Sequence, residues 1–154
     1  NGNVWEWVDG VRVEDGKIDV HKDNDFSTPT DDLDQWVDTG VFFDVQDGKL
    51  VLNSSRTTKM TEETNEYKYI EIEGLEGAAG FAVPDLLKYL AVAPTEGDHG
   101  SDRVYARNYG SRFVRRGGDW DSRASAGVFF FNALNERSYS AVDAGFRAAW
   151  VSSD

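Results

Sequence analysis

Two Asp-Gly dipeptides, each flanked by short runs of alternating apolar and polar residues, constrain this sequence more than any other feature. In VRVEDGKIDV, the dipeptide Asp15-Gly16 separates two runs in which apolar residues recur at every second position. Asp47-Gly48 repeats the arrangement between VFFDV and KLVLN. A period of two is typical of a strand with one buried face, and Asp-Gly suits the two-residue turn that matches the twist of paired strands. We therefore predict two antiparallel β-hairpins.

The composition indicates a single domain rich in strands and turns. A chain of 154 residues can bury a core, and no Pro- or Ser-rich linker divides it, so we assign residues 1–154 to one domain. Aromatic residues make up 13% of the chain, beside 15 glycines and 3 prolines. Because the sequence opens inside a motif at Asn1, we expect it to be the C-terminal fragment of a longer protein with further domains.

The net charge and the absence of cysteine disfavour several classes of function. A net charge of -12 disfavours binding to nucleic acid and to anionic membrane surfaces, because both carry negative charge themselves. No apolar run approaches the roughly 20 residues that span a bilayer, so we expect no membrane insertion. The absence of cysteine removes disulfides, thiolate catalysis and thiolate metal sites. A protein or a glycan is therefore the expected partner.

Other local patterns predict the remaining elements. Residues 67–72 alternate as a short strand, and residues 105–109 and 112–114 also have strand patterns. Residues 84–90 predict a short helix, with proline in its first turn and leucines at helical spacing. His99 lies in a Gly-rich acidic loop, where we expect it to be exposed to solvent.

The C-terminal stretch, residues 116–150, combines a regular frame with chemically irregular positions. The frame has glycines at positions that favour backbone freedom or close approach, and bulky residues that we expect to be buried; the latter are Trp120, Val128, Phe129, Phe146 and Ala148. Ten interleaved residues share no chemistry: Asp119, Asp121, Ser122, Ser125, Asn132, Leu134, Asn135, Tyr139, Ala141 and Asp143. Such a mixture is typical of a surface selected for contact rather than of a packed core.

The motifs RGGDW, AGVF and GFRAAW in this stretch resemble the C-terminal signature of the formylglycine-generating-enzyme type of C-type lectin fold. NGNVWEWVDG at residues 1–10 resembles the other signature of that family. The closer resemblance is to variable proteins that retroelements diversify, which are common in phages and prophages. Residues 38–44, 78–90 and 97–102 are similar to connecting segments of these proteins. The resemblance implies an α+β, C-type-lectin-like fold with β-hairpins, few short helices and a small central sheet made largely from the C-terminal stretch.

The resemblance can be checked against the mutagenesis that diversifies such proteins. Members usually carry Asn at the ten interleaved positions, and mutation of the adenines in an Asn codon reaches every residue type except Met, Lys, Glu, Gln and Trp. All ten residues of this chain are reachable types. Phe130 and Ala133 depart from the usual small residue and Leu, respectively.

The resemblance implies a hypervariable module that binds a host cell-surface protein or glycan through these ten residues and Phe130. Tyr139 would be the main aromatic anchor and Phe130 the second. The expected location is a phage virion, as a tail or surface protein, or a bacterial surface when a prophage encodes it. The alternative is a non-variable structural or assembly module of a virion, in which the same residues are ordinary loops.

An enzymatic role is disfavoured. The oxidase that gives the family its name uses active-site cysteines, and this chain has none. A hydrolase with paired carboxylates lacks a distinctive set of His, Ser and Asp residues in this sequence. We therefore expect a protein that binds and does not catalyse.

The N-terminal motif carries the one metal site that the resemblance implies. In the resembled enzymes this motif binds calcium, and the matching positions here are Asn1, Gly2, Val4 and Glu6, whose oxygen donors suit that cation. The alternative is a purely structural role for Glu6. Trp5 and Trp7, two residues apart on a strand, should share one face and anchor a core.

Overall fold

The protein is a strand-rich domain built on one twisted sheet. The structure is a computed structural model that describes residues 4–22, 33–122 and 127–145. Within these ranges the strands are β1 (Trp5–Glu14), β2 (Lys17–His21), β3 (Trp36–Gln46), β4 (Lys49–Asn53), β5 (Lys68–Glu71), β6 (Arg103–Ala106), β7 (Ser111–Arg116), β8 (Phe131–Asn135) and β9 (Ala144–Gly145). The helix α1 spans Asp85–Tyr89, and 3-10 turns occupy Leu33–Gln35 and Ile72–Gly74. No helix in the described ranges has the length and apolar character needed to cross a membrane.

The strand order is β4-β3-β2-β1-β7-β8-β6-β5, with β9 beside β1. Neighbours are antiparallel except β6 with β8 and β1 with β9, which are parallel. The two ends of the sheet approach each other, since Leu52 of β4 forms a bridge to Gly77 shortly after β5, and the sheet is nearly closed. The expectation of a small sheet drawn largely from the C-terminal stretch is wrong. The two predicted hairpins supply four strands of the sheet, whereas that stretch adds β8, β9 and the end of β7.

Both predicted hairpins are confirmed. Asp15 and Gly16 have φ angles of 50° and 86°, and Asp47 and Gly48 have 50° and 76°. A positive φ at both central residues is the requirement of the turn that Asp-Gly favours. Gly16 is also needed for close approach, because a Cβ there would lie 2.9 Å from the Cβ of Asn108.

The remaining predicted elements agree with the structure in type. Residues 67–72 contain β5, and residues 84–90 contain α1, with Pro84 at its N-cap. The predicted strands at 105–109 and 112–114 correspond to β6, which ends earlier at Ala106, and to β7.

The expectation that His99 is exposed is wrong. His99 is buried, and its ring packs edge-on against Phe129 with centroids 4.7 Å apart. Its Nε2 lies 3.0 Å from Oγ1 of Thr95, so the loop folds back on its own polar groups.

The core lies on one face of the sheet. Its fully buried side chains include Ile18, Phe43, Leu50, Leu52 and Phe131. In the central strands β6, β7 and β8, alternate residues such as Val104, Val114 and Ala133 join this core. Because successive side chains on a strand point to opposite faces, the residues between them are presented on the other side of the sheet.

A buried carboxylate ties the polar segment after β4 to the sheet. Asp44 on β3 accepts hydrogen bonds from the backbone N–H groups of Thr57 and Thr58, both at 2.9 Å, and from Oγ1 of Thr57 at 2.6 Å. Nδ2 of Asn53 donates a further bond at 3.0 Å. Burial alone would raise the pKa of Asp44, but the hydrogen bonds from Thr57, Asn53 and Thr58 outweigh it and hold the pKa below the usual value. The charged form of Asp44 therefore stabilises the fold.

We predict that Asp44→Asn lowers the free energy of unfolding by about 3 kcal/mol at pH 7, because one acceptor oxygen becomes an amide donor facing backbone N–H groups. Glu63→Gln on the exposed surface is the control and should change it by less than about 0.5 kcal/mol. Because the folded pKa of Asp44 is depressed, its contribution is present above the unfolded pKa and lost as pH falls through the folded pKa. Urea unfolding of both variants across acidic pH checks this, and equal stabilities would contradict it.

Candidate binding face

A row of side chains crosses five strands on the face opposite the core. The strand registers pair Tyr69 with Tyr105, Tyr105 with Asn132, Asn132 with Arg115, and Arg115 with Trp7. These residues occupy the alternate positions of β5, β6, β8, β7 and β1, respectively. We call the surface built on this row, together with residues 119–122 and 134–143 beside it, the candidate face.

Arg115 lies at the centre of the candidate face and is buried. Its guanidinium carbon is 4.7 Å from the centroid of the Tyr139 ring, 5.3 Å from that of Trp5 and 5.5 Å from that of Trp7. Its Nη2 donates a hydrogen bond of 2.6 Å to Oδ1 of Asn135. Burial lowers the pKa of Arg115, although Tyr139, Asp143 and Asp119 oppose this shift. Four of the interleaved residues therefore interact with this one cation.

The turn after β7 brings Asp119 against the row. The Oγ of Ser122 donates a hydrogen bond of 2.6 Å to Oδ1 of Asp119, and the Asp119 N–H donates to that Oγ at 3.1 Å. Burial would raise the pKa of Asp119, but hydrogen bonds from Ser122 and from the side chain of Trp5 outweigh it and lower the pKa. Asp119 thus joins its turn to β1.

The segment after β8 returns to β1 beside the same row. The backbone N–H of Trp5 donates a bond of 2.7 Å to the carbonyl oxygen of Asp143, and β9 follows in parallel with β1. Gly145 has little room there, since a Cβ would lie 3.0 Å from Cγ2 of Val4. The N-terminal motif and the C-terminal stretch therefore meet in the fold.

Two adjoining cavities open on the candidate face. The first, of about 340 Å³, is lined by the rings of four residues and by Asp121, Ser122, Asn132 and Leu134; the rings are those of Trp5, Tyr67, Tyr105 and Phe130. The second, of about 330 Å³, shares Leu134 with the first and includes Asn135 and Tyr139 among its lining residues. A larger groove of about 600 Å³ lies between β4 and β5 and contains none of the predicted site residues.

The structure brings most of the predicted binding residues together. Asp121 is exposed, and the half-buried members are Asp119, Ser122, Leu134, Asn135, Tyr139, Ala141 and Asp143. Ser125 lies outside the described residues. Two members are not exposed as expected: Phe130 is 3% exposed and Asn132 is 6% exposed.

Packing explains why Phe130 and Asn132 are buried. The Phe130 ring stacks on Tyr105 with centroids 5.4 Å apart and meets the Trp5 ring edge-on at 4.6 Å. Asn132 lies between β6 and β7 in the row, and its Oδ1 accepts the N–H of Leu134 at 3.2 Å. Phe130 is therefore a buried part of the lining of the first cavity and is not an exposed side chain.

The expected burial of Trp120 and Val128 is wrong, since their exposed fractions are 75% and 78%. Gly117 and Gly118 have positive φ angles of 87° and 69°, and they turn the chain away from the sheet immediately after β7. Trp120 then falls in the Asp119–Ser122 turn and points away from the core. Phe129 does pack against the core, whereas Phe146 and Ala148 lie outside the described residues.

We predict that Trp120→Ala changes the free energy of unfolding by less than about 0.5 kcal/mol, because an exposed side chain loses little packing. Trp5→Ala is the matched comparison and should cost about 3 to 5 kcal/mol, because Trp5 is buried against Phe130 and Arg115. Chemical unfolding followed by circular dichroism measures both. A large loss in Trp120→Ala would mean that the Asp119–Ser122 turn is packed differently.

The calcium site that the resemblance implies is described only in part. Asn1 and Gly2 lie outside the described residues, while Val4 and Glu6 are half-buried at the start of β1. The part of the chain that the structure describes holds no cluster of three or more His, Cys, Asp or Glu residues suited to a metal. Glu6 is the one side-chain donor of the four positions that can be placed, so calcium stays a prediction of the resemblance.

We predict that a calcium chelator lowers the melting temperature of the wild type and that Glu6→Gln removes this sensitivity, since bound calcium stabilises only the folded state. Differential scanning calorimetry with and without the chelator tests this. A wild-type transition that is indifferent to chelator would leave Glu6 with a structural role alone.

The sequence patterns do not identify Arg115, Tyr67 or Tyr105 as residues of the candidate face. A cross-strand pairing of Trp7 with Arg115 would have pointed to Arg115, but which strands are neighbours was not readable from local patterns. The sequence pattern places Tyr105 on a strand but does not indicate which face of the sheet it lies on. Only the β6–β8 register places it beside Asn132.

Comparison with models of known protein families finds no match to this chain, and comparison with curated proteins finds no significant sequence relative.

Proposed function

We propose that the candidate face is a diversified ligand-binding surface and that the chain is a hypervariable receptor-binding module. The observation that carries the proposal is the convergence of two separate stretches on Arg115. Asp119 comes from the turn after β7, Asn135 is the last residue of β8, and Tyr139 and Asp143 come from the segment after β8. Four of the chemically irregular residues thus meet around one cation, which supports a shared surface.

The core and the candidate face lie on opposite sides of the sheet, which supports this proposal. Val114, Phe131 and Ala133 hold the strands from the core side, so exposed and half-buried side chains on the opposite face can be exchanged without opening the core. Exposed or half-buried aromatic, apolar and acidic side chains lie side by side there, as in paratopes.

The fold subtype belongs to the same proposal. The observed strand-rich sheet with few short helices is compatible with the C-type-lectin-like fold of the formylglycine-generating-enzyme subtype, and the pairing of β9 with β1 joins the two signature motifs that suggested it. We propose that the chain is a diversity-generating-retroelement variable protein of the phage or prophage type. On this view it serves on a virion or on a bacterial surface and binds a host cell-surface protein or glycan.

Catalysis is not part of the proposal, because the chain lacks the cysteines that the named oxidase uses. The alternative of a structural or assembly module makes a different prediction for sequence variation. Sequencing sibling copies of the coding region separates the two. Variation confined to the ten interleaved positions supports a diversified surface, whereas scattered or silent changes support an assembly module.

We predict that Tyr139→Ala weakens binding to a ligand found by protein and glycan arrays about 30-fold or more, as loss of about 2 kcal/mol at an interface anchor does. The variant should lose only about 1 kcal/mol of stability, because Tyr139 contacts Arg115 and Trp7 at the surface. Tyr89→Ala is the control, since Tyr89 is exposed on α1. Equal binding by Tyr139→Ala and wild type, or an unfolded Tyr139→Ala, would contradict the proposal.

A further inference from the structure

The first cavity of the candidate face has a distinct chemistry. Four aromatic rings line it, and Asp121 and Ser122 stand at one side. No Lys, Arg or His occurs among the described residues that line it. Aromatic rings present a negative face, so a cavity of this composition attracts an organic cation.

Neighbouring rings on the same face already hold cations of the chain itself. Arg115 lies against three rings, as described above, and the guanidinium of Arg103 lies 5.3 Å from the centroid of the Tyr69 ring. Tyr69 stacks on Tyr105, which lines the cavity, with centroids 5.1 Å apart. The cavity continues this pattern of rings and offers the same kind of surface to a cation from outside.

We propose that this cavity receives an arginine side chain of a protein partner. The inference rests on the proposed binding function and deepens it by naming the group that is recognised. Charge complementarity supports a cationic partner, because the chain carries a net charge of -12 and Asp121 is exposed at the cavity. The volume of about 340 Å³ leaves space for a guanidinium and its aliphatic stem.

Tyr67 and Asp121 are the residues on which recognition depends most. The Tyr67 side chain is 45% exposed, whereas Trp5 and Phe130 are buried and form the floor. Tyr67 therefore supplies the accessible ring, held 6.2 Å from the Tyr105 centroid. Asp121 supplies the opposite charge, and its backbone N–H is fixed by Oδ1 of Asp119 at 3.2 Å.

The test is an NMR titration of the isotopically labelled chain with N-acetyl-argininamide. The neutral analogue N-acetyl-citrullinamide, which has nearly the same shape, is the matched probe. We expect argininamide to shift the indole N–H signal of Trp5 and the amide signals of Asp121 and Ser122, with citrullinamide at least about fivefold weaker. Equal shifts with both probes would overturn the proposal, since charge would then not be recognised.

Variants assign the binding to the cavity. Tyr67→Ala should weaken argininamide binding about fivefold and Asp121→Asn about twofold, while Tyr89→Ala leaves it unchanged. An unchanged affinity in both Tyr67→Ala and Asp121→Asn would overturn the proposal. Methyl β-galactoside is the neutral sugar probe, and shifts of the same signals by this sugar without shifts by argininamide would indicate a glycan site instead.

Arg123 follows Ser122 in the sequence and lies outside the described residues, so R123A is titrated beside the wild type. Argininamide binding by both proteins supports an external cation. Binding that appears only in R123A would overturn the proposal, because the cavity would then serve a cation of the chain itself. The sibling-sequence test of the proposed function does not depend on argininamide, so the two proposals can fail separately.

Discussion

The candidate face depends on one buried cation, the guanidinium of Arg115. Removing an arginine from water is unfavourable unless other groups replace the water, and here the rings of Trp5, Trp7 and Tyr139 and the side-chain oxygen of Asn135 do so. Two of these partners belong to β1, and the other two belong to β8 and the segment after it. The contacts of Arg115 therefore connect the first strand with the last part of the described chain.

The two faces of the sheet therefore differ in how well they tolerate the replacement of side chains. On the core face, Val114, Phe131 and Ala133 are fully buried, and any change in their volume is felt by the whole cluster. On the candidate face, Tyr139 and Leu134 are half-buried and border open cavities. A strand can carry both roles because its side chains alternate, so a core residue and a replaceable surface residue can be neighbours in the sequence.

Sequence patterns predicted the elements that local chemistry determines. The Asp-Gly turns need only two residues with positive φ, and α1 needs only proline and a short apolar pattern. Most of the predicted binding residues lie together in the fold, and their chemical irregularity is visible in the sequence. Trp120 was misplaced because bulk suggested a core, while the positive φ of Gly117 and Gly118 directs the chain out of the sheet.

Contacts between residues that are distant in the sequence could not be predicted from local patterns. The local sequence around Arg115 indicates a surface arginine. Only the strand order, with β1 and β8 on either side of β7, shows otherwise. The local sequence likewise does not indicate that Phe130 is buried. In the fold, Trp5 and Tyr105, which are distant in sequence, pack against its ring. Neither contact has a local signal, so only the strand order reveals which residues of the candidate face are walls and which are accessible.

The core and the frame should fold whichever residues occupy the accessible part of the candidate face. The most direct measurement is the thermal unfolding of one variant in which Asp121, Leu134, Tyr139, Ala141 and Asp143 are all replaced by Asn. We predict a single cooperative transition and a melting temperature lowered by no more than about 10 °C, as a loss of about 2 to 3 kcal/mol produces in a domain of this size. Loss of the cooperative transition would contradict it, because these side chains would then be part of the fold.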